Sequence, residues 1–368
     1  MDELISFLGA NYTIFERWGV VFLAVLAAAG GVCLWQLIRK NTIWRRVLAG
    51  LGLLPVLAGL AITTFVLRNI EPLRLPNGYA RADVSFAGPA GALGGELLTP
   101  QGPGRRAALV LAVGSDISSY RTNYAPLVND LLVPQAAEAQ FVMLFFDKRG
   151  VGRSAGDWTI ATIEDRAADA RAAMTYLQNH PAVDPGKVVV IGHSQGGWVA
   201  QLLAAQDPPP ALAVSLAGPA VGVEQQILDD ERGSRLCNGA TEAQADAEAR
   251  ALVADLRQQS RGNVSGRLRQ FSAIADYRPD AALKSLKAPT VFVFGTNDRL
   301  VPAQANLARL KELWGDQPAA NTTVVTVEGA GHSLRLIERC HRGPQRDKPF
   351  APEVINQLRS SLASVNSR

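Results

Sequence analysis

Histidine and cysteine are scarce in this chain of 368 residues, which contains four histidines and three cysteines. Three cysteines cannot build a disulfide scaffold, and no CxxC pair or Cys/His cluster predicts a zinc site. Long basic runs are missing beyond the N-terminal region, and the formal net charge is only +4. The composition therefore gives no support to nucleic-acid binding, and it implies neither a metal nor an organic cofactor.

Charge is missing altogether from two segments near the N-terminus, residues 18–38 and 47–67. Each is long enough to cross a bilayer as a helix, which takes about 20 apolar residues. A buried core helix is rarely apolar on every side, and a signal peptide would begin with basic residues where this chain has Asp2 and Glu3. We therefore expect residues 1–70 to form a membrane hairpin with spans at about 18–38 and 47–67.

The side of the membrane follows from the basic residues between the spans, which are Arg39, Lys40, Arg45 and Arg46. The N-terminal tail carries only Arg17, although three arginines follow the second span: Arg68, Arg74 and Arg81. Positively charged loops remain in the cytoplasm, so the hairpin should turn inside and both of its ends should lie outside. The sequence thus predicts an inner-membrane protein, bacterial in type, whose main domain is periplasmic or exoplasmic.

An exoplasmic domain would lie in an oxidising compartment, where disulfides persist. Cys33 falls within the first span, so Cys237 and Cys340 are the one pair that could bond in the outer domain. Bonding requires Cα atoms within about 7 Å of each other, which spacing along the chain does not reveal. Two independent thiols are the simpler expectation, and the pairing is left open.

From residue 79 onward, short apolar runs alternate with helical patterns. Two early antiparallel strands are predicted at 79–86 and 92–100. Buried strands follow at 106–113, 141–147, 187–192, 211–218, 289–295 and 321–329. Helices are predicted at 124–140, 162–180, 195–206 and 352–365, with Pro134 interrupting or ending the first.

Continuous apolar strands that alternate with helices indicate an α/β fold with a mostly parallel sheet covered on both faces. Residues 219–287 break this rhythm, because they are rich in Ala, Gln, Glu, Asp and Arg and contain no convincing strand. The sequence therefore predicts a core of residues 79–218 and 288–368, with 219–287 inserted as a helical cap.

Glycines surround one serine at the end of a predicted strand, in the segment VVVIGHSQGGW that begins at Val188. Gly192 and Gly196 flank Ser194 at two residues on either side, which matches the G-x-S-x-G nucleophile elbow. A sharp strand-to-helix turn needs glycine at these positions, since the chain there passes close to itself. A plain glycine-rich turn is the alternative, but the strand before it and the helix after it favour a nucleophile.

A serine nucleophile needs a base, and in this arrangement the chain order is Ser, Asp, His. Asp298 follows the predicted strand at 289–295, and His332 follows the strand at 321–329. A capping aspartate and an exposed loop histidine are the alternatives for each residue alone. Because all three residues come after the C-terminal ends of buried strands, we expect Ser194, Asp298 and His332 to form a catalytic triad.

The other candidates fit less well: His341 lies among arginines, His180 ends a helix, and Glu328 is too near the last strand. His193 is expected to line the site or to pack beside it rather than to act as its base. The oxyanion formed during acyl transfer needs backbone N–H donors, for which Gln195 and Ser115 are predicted. Gly114 and Asp116 remain alternatives to Ser115.

From about residue 79 to its end, the chain resembles the α/β-hydrolase superfamily. The resemblance lies in IGHSQGGW, FGTNDRLVP, GAGHS and the segment FFDKRGVGRSAG that contains Asp147 and Arg149. It is nearest to the bacterial carboxylesterase-like, dienelactone-hydrolase-like and serine-aminopeptidase-like groups. The resemblance implies an α/β-hydrolase fold with Ser194 as nucleophile, Asp298 as acid and His332 as base, whereas Asp147 and Arg149 are expected to fix a tight loop.

The sequence therefore predicts a membrane-anchored serine hydrolase that cleaves a small-molecule or lipid-like carboxylic ester through an acyl-enzyme. Peptidase, thioesterase or acyltransferase chemistry could use the same triad. A further alternative is a non-catalytic, membrane-tethered binding or assembly protein on a hydrolase scaffold. The sequence identifies no protein partner.

Overall fold

The computed structural model describes residues 10–39 and 43–367. Asp2, Glu3 and Lys40 lie outside the described residues, as do the side chains of Arg39, Arg45 and Arg46. The membrane topology inferred from these basic residues therefore stays a prediction.

Two long apolar helices open the described chain, α1 (Tyr12–Arg39) and α2 (Ile43–Arg68). Both are long and apolar enough to cross a membrane, and their most hydrophobic windows are almost entirely unburied. They pack against each other as a hairpin in which glycines face aliphatic side chains: a Cβ on Gly59 would lie 3.1 Å from Leu26 of the other helix. Two such helices, exposing apolar side chains all round, have the form expected of the predicted membrane hairpin.

The sheet has eight strands in the spatial order β1-β2-β4-β3-β5-β6-β7-β8. The strands are β1 (Tyr79–Gly88), β2 (Gly91–Pro100), β3 (Arg106–Ala112), β4 (Val142–Phe146), β5 (Val183–His193), β6 (Leu212–Leu216), β7 (Thr290–Gly295) and β8 (Thr322–Val327). The pairs β1–β2 and β2–β4 are antiparallel, and the remaining pairs are parallel. Every strand predicted from the sequence is present.

The alternation of side chains along each strand explains why the strand sequences are apolar throughout. Leu109 and Leu111 of β3 enter the core on one face of the sheet, whereas Ala108 and Val110 enter the core on the other. Since helices cover both faces, neither set of side chains meets water. The result is the mostly parallel, doubly covered sheet that the sequence predicts.

Helices connect the strands. Residues 125–138 form α3 from the segments Ala125–Leu127, Val128–Leu132 and Val133–Glu138, and the others are α4 (Ile163–Gln178), α5 (Gln195–Ala205), α6 (Val223–Cys237), α7 (Glu242–Gln259), α8 (Gly266–Ile274), α9 (Asp280–Lys284), α10 (Ala303–Trp314) and α11 (Pro352–Asn366). Pro134 does not end α3, because a π-helical segment, Val128–Leu132, directly precedes the last part of the helix. The wider turn accommodates a residue that has no N–H to donate. Helices α6 to α9 occupy the segment predicted as a cap.

A disulfide joins Cys237, at the end of α6, to Cys340 in the loop that follows His332. Their Cα atoms are 5.3 Å apart, within bonding range. The expectation of two independent thiols was wrong, because the fold brings together residues separated by 103 positions in the chain. The bond ties the inserted helices to the loop that carries His332.

The hairpin is anchored to the domain by its first turn. The Tyr12 hydroxyl donates to Oδ2 of Asp147 at 2.8 Å, and the Gly152 N–H donates to the Ala10 carbonyl at 2.6 Å. Gly152 has φ +55°, and a Cβ there would lie 2.5 Å from the Tyr12 ring. Arg121 adds a link by donating to Glu16 of α1 and to Glu96 of β2. These contacts place the end of the hairpin directly beside the loop that follows β4.

Candidate active site

Ser194 lies between β5 and α5 in a strained backbone conformation, with φ 57° and ψ −126°. A non-glycine residue in such a conformation costs about 1–3 kcal/mol, and strain of this kind concentrates at functional sites. The flanking glycines are sterically required: a Cβ on Gly192 would lie 1.9 Å from the Gly196 carbonyl oxygen, and a Cβ on Gly196 would lie 2.0 Å from that of Ala112. The sequence G-x-S-x-G thus folds into a sharp elbow with Ser194 at its tip.

His332 and Asp298 form a hydrogen-bonded pair, with 2.9 Å between His332 Nδ1 and Asp298 Oδ2. Asp298 is almost fully buried, and its other oxygen accepts the N–H groups of Leu300 and Val301, each at 2.9 Å. Burial lowers the pKa of His332, but the charge and hydrogen bond of Asp298 outweigh it, so that the pKa is raised. Because Nδ1 is engaged, Nε2 is the ring nitrogen that can take a proton.

His193 connects the elbow to the histidine loop. Its Nε2 lies 2.8 Å from the backbone oxygen of His332, and its Nδ1 lies 2.8 Å from the Tyr124 hydroxyl. A carbonyl can only accept, so we assign the proton to Nε2, and the Tyr124 hydroxyl then donates to Nδ1. Burial, with a smaller contribution from His332, lowers the pKa of His193 to about 3. His193 is therefore a neutral residue that positions His332 rather than a base.

The elbow and the histidine loop meet at the carboxyl ends of the parallel strands. The ring centroids of His193 and His332 are 5.0 Å apart, and Ser194 directly follows His193. In the described part of the chain, no hydrogen bond joins the Ser194 hydroxyl to His332. Catalytic hydrogen bonds are often long without substrate and tighten when it binds.

The loop after β3 adjoins Ser194, as predicted for an oxyanion donor. A Cβ on Gly114 would lie 3.4 Å from the Ser194 Cβ and 2.2 Å from the Tyr124 hydroxyl. Ser115 is exposed, and Asp116 forms an ion pair with Arg267 at 3.1 Å. Gln195 is the first residue of α5, where a backbone N–H has no acceptor within the helix. The predicted donors thus lie on two segments that adjoin Ser194.

Two buried basic residues that sequence reasoning missed hold this loop. Arg166 of α4 donates to the Gln195 side chain and to the Val113 carbonyl, and Lys148 Nζ donates to the Gly114 carbonyl at 3.3 Å. Burial lowers the pKa of Arg166 to about 10 and the pKa of Lys148 well below its usual range. Only the position of Lys148 beside Arg149 could have drawn attention to it, and nothing in the pattern of α4 distinguishes Arg166.

Helix α6 also approaches the site. The negative charge of Asp230 contributes to the raised pKa of His332, whereas burial raises the pKa of Asp230 itself. The inserted helices therefore act electrostatically on the histidine, in addition to being tied to its loop by the disulfide.

Other residues singled out in the sequence lie elsewhere. Arg149 binds Asp169 through Nε at 2.6 Å and pairs with Asp165, which fits its expected role in fixing a loop. Glu328 is exposed, and His341 bonds to the neighbouring Pro344 carbonyl at 3.2 Å. Among residues 10–39 and 43–367, no group of three or more His, Cys, Asp or Glu side chains is arranged to hold a metal ion.

The sequence of this chain is similar to those of known proteins. The alpha/beta hydrolase family matches residues 109–342. Uncharacterized protein Rv2307c of Mycobacterium tuberculosis is 42% identical over 72 residues, which are 20% of this chain and 25% of that protein. The chain thus spans about a quarter of the length of the curated relatives that it matches.

Similar folds occur among solved structures. The Pyrococcus furiosus esterase Pf2001 has a TM-score of 0.51 and 19% identity, over 81% of this chain and 97% of the esterase. Hypothetical protein PA2218 from Pseudomonas aeruginosa has a TM-score of 0.54 and 16% identity, over 80% of this chain and 96% of that protein. At such identities these likenesses concern the fold alone. With a family match over more than half of its length and the corresponding fold, the chain belongs to the alpha/beta hydrolase family.

Proposed function

We propose that the protein is a membrane-anchored serine hydrolase that cleaves carboxylic esters with Ser194, His332 and Asp298. The observation that carries the proposal is the pairing of His332 with buried Asp298 beside the strained Ser194 elbow. A surface histidine without a catalytic role would not need a buried carboxylate beside it, and a plain turn would not need a strained serine. Both features have a cost in stability, and acyl transfer explains why they occur together.

In the proposed reaction, Ser194 Oγ attacks the ester carbonyl carbon while its proton passes to His332 Nε2. The imidazolium ion that forms is stabilised by Asp298, which accepts from Nδ1. His332 then returns the proton to the alcohol as the C–O bond breaks, leaving the acyl group on Ser194. Water, deprotonated by the same nitrogen, releases the acid and restores the serine hydroxyl.

The oxyanion of each tetrahedral intermediate would accept from the backbone N–H groups of Gln195 and Ser115. The fixed backbone supports this role, because Arg166 and Lys148 hold the carbonyls of Val113 and Gly114 and so orient the peptide units around the loop. Donors that are already oriented need no reorganisation as the charge develops.

The hairpin is proposed to anchor the domain on the exoplasmic face of the membrane. The disulfide between Cys237 and Cys340 supports this side, because disulfides persist in an oxidising compartment. The contact between Tyr12 and Asp147 places the domain at the end of the hairpin opposite its turn, which the basic residues predict to be cytoplasmic. Thiol alkylation of whole cells with and without a reductant tests the pairing, and a reporter fused after Arg368 tests the side. Activity of that reporter only in the cytoplasm would contradict the proposed orientation.

The central experiment labels isolated membranes with a small fluorophosphonate and compares wild type with Ser194→Ala. We expect Ser194-dependent labelling, and a loss of kcat on the order of 10⁴-fold for Ser194→Ala. A panel of esters, thioesters and aminoacyl amides then identifies the bond that is cleaved. If folded wild-type protein remains unlabelled and turns over no member of the panel, the proposal is wrong.

A further inference from the structure

A cavity of about 880 Å³ lies where α2 meets the hydrolase domain. One wall is formed by the last turns of this apolar helix, including Ala61, Ile62, Phe65 and Val66. The loop after β3 forms another part of the lining, through Ser115 and Ile117. The volume falls within the range of small-molecule pockets, which are mostly apolar with few polar groups.

A smaller cavity adjoins this one and reaches the elbow. A second cavity, of about 210 Å³, shares Asn123, Pro126 and Arg346 with the first. Its lining includes His193 and Ser333, the residues directly before Ser194 and directly after His332. Together the two cavities therefore extend from α2 to residues that adjoin Ser194 and His332 in the chain.

The charges around the cavity are paired. Arg267 binds Asp116 at 3.1 Å, and Arg346 binds Glu71. Each cation is thus offset by a carboxylate, which leaves no net charge at the cavity to select an ionic ligand. Phe65 is 65% exposed, although it lies in the cavity wall. A large apolar side chain in such a position is typical of a surface that lipid or an apolar ligand covers.

We infer that the substrate is a neutral, long-chain acyl ester that enters from the bilayer, with its acyl chain lying along the end of α2. This inference rests on the proposed hydrolase function and on the hairpin spanning the membrane. The helix that would leave the bilayer forms the cavity wall itself, so the acyl chain passes from lipid to protein without crossing water. Hydrolysis consumes one water and releases a fatty acid and an alcohol.

Full-length protein in detergent tests the inference with soluble esters whose acyl chains run from acetyl to octanoyl. Each methylene that enters the cavity should raise kcat/KM, by up to about fourfold. Ala61→Trp narrows the cavity and should abolish this rise, whereas a tryptophan outside the cavity should leave both the rise and acetyl-ester turnover within about twofold of wild type. Ala58→Trp is the matched control, because Ala58 is also an exposed alanine of α2 but does not line the cavity.

The outcomes separate the inference from the proposed function. If wild type is labelled at Ser194 but shows no preference for longer chains, or if Ala61→Trp keeps the wild-type profile, the inference is wrong and the hydrolase remains. If no ester is turned over and Ser194 is not labelled, the proposed function itself fails.

A second measurement covers the case in which Ala61→Trp does not fold. Wild-type protein in lipid nanodiscs is irradiated with a diazirine-bearing long-chain ester. We expect crosslinks to residues 61–71 and 115–126 that an octanoyl ester competes away. Crosslinks confined to the part of α2 before residue 58 would overturn the inference, since the chain would then remain in the lipid.

Discussion

His193→Phe should impair catalysis without changing which group titrates. The substitution removes the Nε2–H that holds the His332 backbone oxygen, and it removes the acceptor of the Tyr124 hydroxyl. Each buried polar group left unpaired costs about 1–3 kcal/mol, so the two together should lower the free energy of unfolding by about 2–6 kcal/mol. Phenylalanine fills a similar space, which limits any loss of packing.

The catalytic effect follows from the position of His332. Its backbone is held to the elbow by the His193 hydrogen bond, and a displacement of about 1 Å in a catalytic group can cost on the order of 10²-fold in rate. We therefore expect kcat on an acetyl ester to fall by about 10- to 100-fold, with KM changed little. His193→Gln, which keeps a side-chain N–H donor, should recover a large part of the loss.

The pH profile distinguishes a positioning role for His193 from a role as general base. With a pKa of about 3, His193 stays neutral throughout the accessible range, so the acid limb of kcat/KM should contain the titration of His332 and none from His193. The limb should thus stay in place in both variants. A shift of the limb in His193→Gln, or a His193→Phe enzyme with wild-type kcat, would refute the role assigned to His193.

Three further predictions concern the charges and the disulfide. Asp298→Asn removes the carboxylate that raises the pKa of His332, so the acid limb of the pH-rate profile should move to lower pH. We expect kcat to fall by about 10³- to 10⁴-fold. An acid limb that does not move would contradict the functional pairing of His332 with Asp298. Arg166→Met should lower kcat by about 10-fold with KM retained, because the Val113 carbonyl and the Gln195 side chain lose their donor; a pure KM effect in steady-state kinetics would contradict this. Cys237→Ser opens a loop with a sequence separation of 103 and should reduce the free energy of unfolding by about 4–5 kcal/mol in denaturant titrations; a non-reducing gel that shows free thiols in wild type would remove the premise.

Much of the fold is predictable because its signals are local. The runs 107–112 of β3 and 188–191 of β5 are apolar on both faces, and their length distinguishes strands from helices. The elbow is predictable for a similar reason. Because no Cβ fits at residues 192 and 196, both positions require glycine, and these glycines predict the turn from the sequence alone. The order of Asp298 and His332 along the chain then follows from the ends of β7 and β8.

The two apolar helices are equally predictable from local sequence, since length and uninterrupted apolar composition suffice to predict α1 and α2. How the hairpin meets the domain is not local. The contact between Tyr12 and Asp147 joins residues 135 positions apart, and no sequence pattern around either residue predicts it.

The sequence by itself determined the sheet, the elbow and the two apolar helices, because periodicity and backbone sterics act between residues close together in the chain. Only the tertiary structure decided that His193 supports His332, that Arg166 and Lys148 hold the loop beside Ser194, that Cys237 bonds Cys340, and that a cavity lies between α2 and the loop after β3. Hydrogen bonds, disulfides and cavities depend on distances of a few ångströms between segments far apart in the chain, and those distances exist only once the sheet has assembled.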